Sequence, residues 1–170
     1  LDFVDQGVPT YKIGDRFGVK INTLISRLTD RSGFGAYYAT KLLIKEIKEY
    51  SPDVVHLHNL HGDYINIRLL LEYLIRNNIK TVITAHDCWL VTGHCAHFVS
   101  VGCEKWKTMC DNCPGKKLYP KSYLLDQSKR NYKEKKALLT TISNLTIVCP
   151  SQWLQNIMQQ SYLKDTRIKV

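Results

Sequence analysis

The residues best suited to handling protons or polar ligands form two short clusters. One is the run His56-Leu57-His58-Asn59-Leu60-His61-Gly62, and the other is the pair His86-Asp87. A neutral imidazole donates through one ring nitrogen and accepts through the other, and a neighbouring carboxylate fixes its tautomer and raises its basicity. Such groups suit hydrogen bonding to sugar hydroxyls or phosphate oxygens. His56 and His58 share one face of a strand, because side chains alternate with period two. No carboxylate pair completes a metal site there. A plainer reading, in which these groups satisfy backbone at a strand end, stands beside the functional one.

A third constellation is Cys95, Cys103, Cys110 and Cys113, spaced C-x7-C-x6-C-x2-C with His94 and His97 nearby. Thiolates hold Zn²⁺ tetrahedrally, and a C-x2-C pair is a common half-site. Structural zinc is the expected state, with reduced free thiols and disulfides as alternatives. Four thiolates would leave no open position, so a catalytic zinc is not expected. Cys88 and Cys149 read as isolated buried thiols.

The elements that must position these groups alternate. Residues 36–50 carry apolar side chains near helical period, and Ser51-Pro52 ends that helix. Residues 53–58 read as a buried strand, 65–77 as a helix and 80–85 as a second strand. The long loop from His86 to about Pro120 carries the cysteines, and a loop of that length is usually functional or braced. A basic helix over 123–139, a strand over 145–149, a helix capped by Ser151 and a strand beginning near Arg167 complete the order. Residues 1–35 are interrupted by Gly7, Pro9, Gly14, Gly18, Gly33 and Gly35, with helical spacing only over Ile21–Leu28. Strands alternating with helices predict an α/β fold: a parallel sheet with helices on both faces and a cysteine-rich loop insert. In such open sheets ligands bind at the carboxyl ends of the strands, where both histidine clusters fall.

At 170 residues the chain forms one domain with a respectable core. The net charge is +9, and residues 104–136 hold ten Lys/Arg against four Asp/Glu, which accounts for +6 of it. A patch of this kind attracts phosphates, nucleic acid or an anionic membrane surface, or is a solvated helix face. No apolar run approaches the roughly 20 residues that span a bilayer. The opening Leu1-Asp2-Phe3 lacks an initiator Met and a secretory pattern, so the chain reads as an intracellular piece of a longer protein.

The runs PDVVHLHNLHG (52–62), TAHDCWLVTGHC (84–95) and GCEKWKTMCDNCP (102–114) together resemble bacterial glycosyltransferase family 4. So do YPKSYLLDQSKRNYKEKKALL (119–139) and TIVCPSQWL (146–154), in the same order. The resemblance covers most of residues 33–170. It implies half of a GT-B fold: residues 1–170 form part of the Rossmann-like, N-terminal acceptor-side domain. The first strand would lie before Leu1 and the donor domain after Val170. It further implies a retaining enzyme that moves a sugar from a nucleotide-sugar donor to a glycan or lipid-linked acceptor in surface polysaccharide biosynthesis, with no cofactor for the chemistry. By the same resemblance His86 and Asp87 are catalytic, and His58, Asn59, His61, Trp89, Ser151 and Trp153 bind substrate. Lys116, Lys117, Lys121, Lys129, Arg130 and Lys133 would hold a cytoplasmic enzyme at the inner face of the membrane. Nucleic acid is not an expected partner. The competing classes are a zinc-stabilised nucleic-acid-binding module, which lacks a recognisable zinc-finger spacing or aromatic RNA platform, and a protein-interaction module.

Overall fold

The computed structural model describes residues 10–170; Gly7, Pro9 and the Leu1-Asp2-Phe3 start lie outside the described residues. Four strands, β1 (Val54–His58), β2 (Lys80–Thr84), β3 (Leu145–Val148) and β4 (Arg167–Lys169), form one sheet in the order β1-β2-β3-β4. All pairings are parallel, with Leu57 opposite Ile83 and Ile83 opposite Ile147. Among the described residues five α-helices accompany them: α1 (Arg16–Thr29), α2 (Tyr37–Tyr50), α3 (Ile67–Arg76), α4 (Ser128–Thr141) and α5 (Gln152–Gln159). The alternating α/β order and the parallel sheet are those expected.

The connections set which face of the sheet is packed. Strands added in sequential order through right-handed crossovers place their connecting helices on the same face. The burial pattern agrees. Leu57, Thr81, Ile83, Leu145 and Ile147 are buried against Leu70, Leu71, Leu74, Leu139 and Met158. Val54, His56, His58 and Lys80, which alternate with them, are exposed.

Local chemistry sets the element ends. Asp15 caps α1 by accepting from the Gly18 N–H at 2.7 Å, so the helix begins earlier than the glycine-interrupted sequence implied. Ser51 ends α2 in the left-handed region just before Pro52. Asn66 caps α3 through the Leu69 N–H. α4 starts at Ser128 rather than near Tyr123. Asp126 takes the Ser128 N–H and hydroxyl at 2.9 and 2.6 Å and, with its other oxygen, the Cys113 N–H at 2.7 Å. Residues 123–125 instead form a strap along α1, with Tyr123 and Leu125 donating to the carbonyls of Arg27 and Leu28.

Two carboxylates tie the helices together. Asp30, itself buried at the end of α1, accepts from the His94 ring on one oxygen and from the Gln127 N–H, at 2.7 Å, on the other. Glu134 of α4 meets Arg31 at 2.8 Å, Arg68 of α3 at 2.6 Å and Arg130 at 2.8 Å. Burial alone would raise the Glu134 carboxyl, but its hydrogen bonds to three guanidinium groups outweigh that and hold it at about 2, against an ordinary 4.5. A carboxyl depressed in the folded state stabilises fully above its unfolded value, and the contribution is lost as pH falls through the folded one. Glu134→Gln is therefore expected to cost about 2–3 kcal/mol at neutral pH. It should also flatten the loss of stability between about pH 5 and 2, as read from urea melts across that range.

Candidate functional site

β1 and β2 end side by side, with His56 opposite Val82 and His58 opposite Thr84. That register carries three exposed imidazoles in a row. His56 Nε2 lies 2.8 Å from Thr84 Oγ1, and His58 Nδ1 lies 2.9 Å from His86 Nε2. The His56 and His58 rings are 4.3 Å apart. His58 is held below the usual histidine range, first by desolvation and then by repulsion from His56 and His86. His58 therefore serves as a neutral donor and acceptor, suited to hydroxyl groups.

Asp87 faces away from this row. Its Oδ2 lies 2.7 Å from His61 Nε2, and its Oδ1 accepts the Trp89 N–H at 2.8 Å. Burial would raise its pKa, but the His61 hydrogen bond and the Trp89 N–H leave it below the ordinary value. Asp87 thus positions His61 and the following turn, rather than standing beside His86 as the sequence implied. Trp89, expected to touch substrate, is only 3% exposed. Its ring packs edge-on against His61, and the Lys135 ammonium lies 3.6 Å from its centre. A large apolar ring at this turn is core, not cleft.

Beside His61 opens a cavity of about 330 Å³, lined by Arg27, Asp63, Tyr119, Lys121 and Tyr123 among others. The Tyr119 hydroxyl is 3.4 Å from His61 Nδ1, and Asp63 accepts from the Ser26 hydroxyl at 3.0 Å. Of these five, only Lys121 was singled out from the sequence, as a membrane-holding cation rather than a site residue. Asp63 directly follows the His61-Gly62 pair, which was the available signal; Arg27, on α1, gave none. A larger cavity of about 760 Å³ lies around Val54, Lys80, Leu145 and Arg167, at the amino ends of the strands. It has no histidine, and the carboxyl edge remains the site indicated by chemistry.

The other expected residues are dispersed along that edge. Asn59 is exposed in the turn after β1, at a positive φ of 48°. Ser151 spends its hydroxyl as the α5 cap, accepting from the Leu154 N–H at 3.3 Å. Trp153 is 54% exposed on α5. Neither of the last two makes a hydrogen bond or ring contact with the histidine row.

In the insert, three short 3₁₀ turns (Trp89–Val91, Val99–Val101, Lys105–Lys107) break up a long irregular path. Cys95, Cys103, Cys110 and Cys113 line one small cavity. Among the described residues no three His, Cys, Asp or Glu groups are gathered as a formed ligand set. The expected four-cysteine coordination is thus not in place. Cys88 and Cys149 are buried free thiols, as expected, and desolvation pushes them up to about 12 and about 11. The basic patch is thinner than its composition. Lys135 is buried and donates to the Trp89 carbonyl at 2.5 Å, while Lys105, Lys107 and Arg130 are paired with Asp111, Glu104 and Glu134.

Comparison with known proteins shows the family. The profile of Glycosyltransferase Family 4 matches residues 9–170. A colanic acid biosynthesis glycosyl transferase of Escherichia coli (strain K12), WcaC, is 34% identical over 110 residues. The match covers 62% of this chain and 26% of that protein, so the chain spans about a quarter of its relative's length. No solved structure matches.

The two roles assigned to neighbouring residues separate in a stability measurement. Asp87→Ala strands His61 and the Trp89 N–H and is expected to cost about 2–3 kcal/mol in urea unfolding. His86→Ala, at an exposed side chain, is expected to stay within about 0.5 kcal/mol of the parent.

Proposed function

The chain belongs to glycosyltransferase family 4, and on that premise we propose that it supplies the acceptor-side half of a bacterial polysaccharide-building glycosyltransferase. The whole enzyme moves a hexose from a nucleotide-sugar donor to a glycan or lipid-linked acceptor with retention of configuration. The observation that carries this reading is the His58–His86 pair, 2.9 Å apart, at the ends of adjacent parallel strands.

His86 engages His58 through Nε2, which leaves Nδ1 for a hydroxyl of the donor sugar. His58 takes whichever donor or acceptor role His86 leaves it, so the pair adapts by moving one proton between two nitrogens. The cavity beside His61 suits the acceptor. Asp63 and Tyr119 supply hydrogen-bonding groups for sugar hydroxyls, and Tyr119 and Tyr123 supply ring surface. Arg27 and Lys121 supply positive charge for a phosphate on the acceptor. Donor contacts beyond His86 belong to a second domain in this reading.

An anionic membrane surface fits the same face of the molecule. Phe17, Ile21, Leu24 and Ile25 of α1 are exposed, and the only charged residues of that helix are Arg16, Lys20 and Arg27. An apolar stripe flanked by cations lies in a bilayer interface rather than across it. Among the described residues no helix is long and apolar enough to cross a membrane. In this reading the enzyme works in the cytoplasm, peripheral to the inner membrane.

Two experiments test the proposal. In the full-length enzyme, transfer from a nucleotide hexose should fall roughly 100-fold in kcat for His86→Ala, while His97→Ala on the exposed insert keeps parental activity. Parental turnover by His86→Ala overturns the assignment. The chain should also sediment with phosphatidylglycerol vesicles at low salt, and Leu24→Gln should release it. Equal binding to neutral vesicles would remove the membrane from the reading.

A further inference from the structure

We propose that Cys95, Cys103, Cys110 and Cys113 close on a single zinc ion that braces the insert. All four cysteines line one cavity of about 10 Å³, roughly the volume of one water-sized sphere. A space this small admits an ion and no organic ligand. The cavity is empty, and the sulfurs are not yet at coordination distances. Cys95 Cβ and Cys113 Sγ both lie within 4 Å of the point where a Cβ on Gly115 would stand. Side-chain rotation at Cys103 and Cys110, which face the same space, would complete a tetrahedral set.

A Cβ on Gly93 would come within 2.1 Å of the Ser128 carbonyl oxygen and 2.7 Å of Cys110 Cβ, so only glycine lets the backbone pass this close to Cys110 and the cavity wall.

A second, independent observation points to an absent electron-rich partner. Among the described residues, two buried polar atoms in the insert have no hydrogen-bond partner: His94 Nε2 and Trp106 Nε1. Trp106 lines the cysteine cavity, and His94 is one residue from Cys95. His94 is held from behind by Asp30 through Nδ1, the carboxylate–imidazole arrangement that orients groups around metal sites. Thiolate sulfurs bound to zinc keep enough negative charge to accept N–H donors. A Cys95–Cys113 disulfide would use two sulfurs and leave Cys103 and Cys110 without a role.

The inference is independent of the transfer chemistry, so its test needs no activity. The full chain, purified without chelator, should carry one zinc per chain by elemental analysis. Cys110→Ser and Cys113→Ser should each bring that below half, and Cys88→Ser should leave it unchanged. Should the variants fail to fold, cobalt substitution of the parent chain serves instead. It should give a thiolate-to-metal charge-transfer band with tetrahedral ligand-field bands. Zinc far below one equivalent with four titratable thiols overturns the proposal. So does a mapped Cys95–Cys113 disulfide in the freshly purified protein, or a cobalt spectrum without charge transfer.

Discussion

The buried Asp30 carboxylate is the constraint on which the rest of the structure hangs. It sits at the left-handed end of α1, holds the His94 ring with one oxygen and takes the Gln127 N–H with the other. Its carbonyl accepts from the Asn131 side chain at 2.6 Å. One residue thereby fixes the end of α1, the middle of the insert and the start of α4. An unpaired buried carboxylate would be costly, so these three segments have to meet. Burial would lower the His94 pKa, but the hydrogen bond and charge of Asp30 reverse this and raise it. A raised histidine stabilises the fold below its unfolded value and ceases to as pH climbs through the folded one. The clamp is therefore strongest on the acid side of neutrality, where the Glu134 cluster weakens only much lower.

The clamp matters for function because it sets one wall of the site. Tyr119, Lys121 and Tyr123 come from the segment that it pins beneath α1, and Arg27 comes from α1 itself. The opposite wall is the turn after β1, where the sheet register fixes His58 and Asp87 fixes His61. Neither wall is built from catalytic chemistry alone. Trp89 and Lys135, buried behind His61, show how much core is spent on holding a few polar groups at a strand edge. Lys135 is brought down to about 7, chiefly by desolvation and against the pull of nearby thiols and carboxylates.

Much of the fold was legible because its signals are local. Val54–His58, Lys80–Thr84 and Leu145–Val148 are short apolar strands between helical periods, and Pro52 and Ser151 punctuate helices by known chemistry. The histidine row followed from period-two alternation and from where parallel strands end. What stayed hidden depends on contacts between residues far apart in sequence. Nothing near Asp87 announces that it faces His61 rather than His86. The basic run around Lys135 gives no hint that one of its lysines lies in the core. α1 was under-read because Asp15 overrides the glycine signal.

The central claim is that the histidine row and the cavity beside His61 receive a phosphorylated sugar at the carboxyl edge of the sheet. The most direct measurement is imidazole ¹⁵N NMR of the labelled chain during titration with a hexose 1-phosphate. The account predicts saturable shifts at His58, His61 and His86, with His94, locked on Asp30, unmoved. Perturbation confined to groups around the strand amino ends near Lys80 and Arg167, with the histidine row silent, would contradict it.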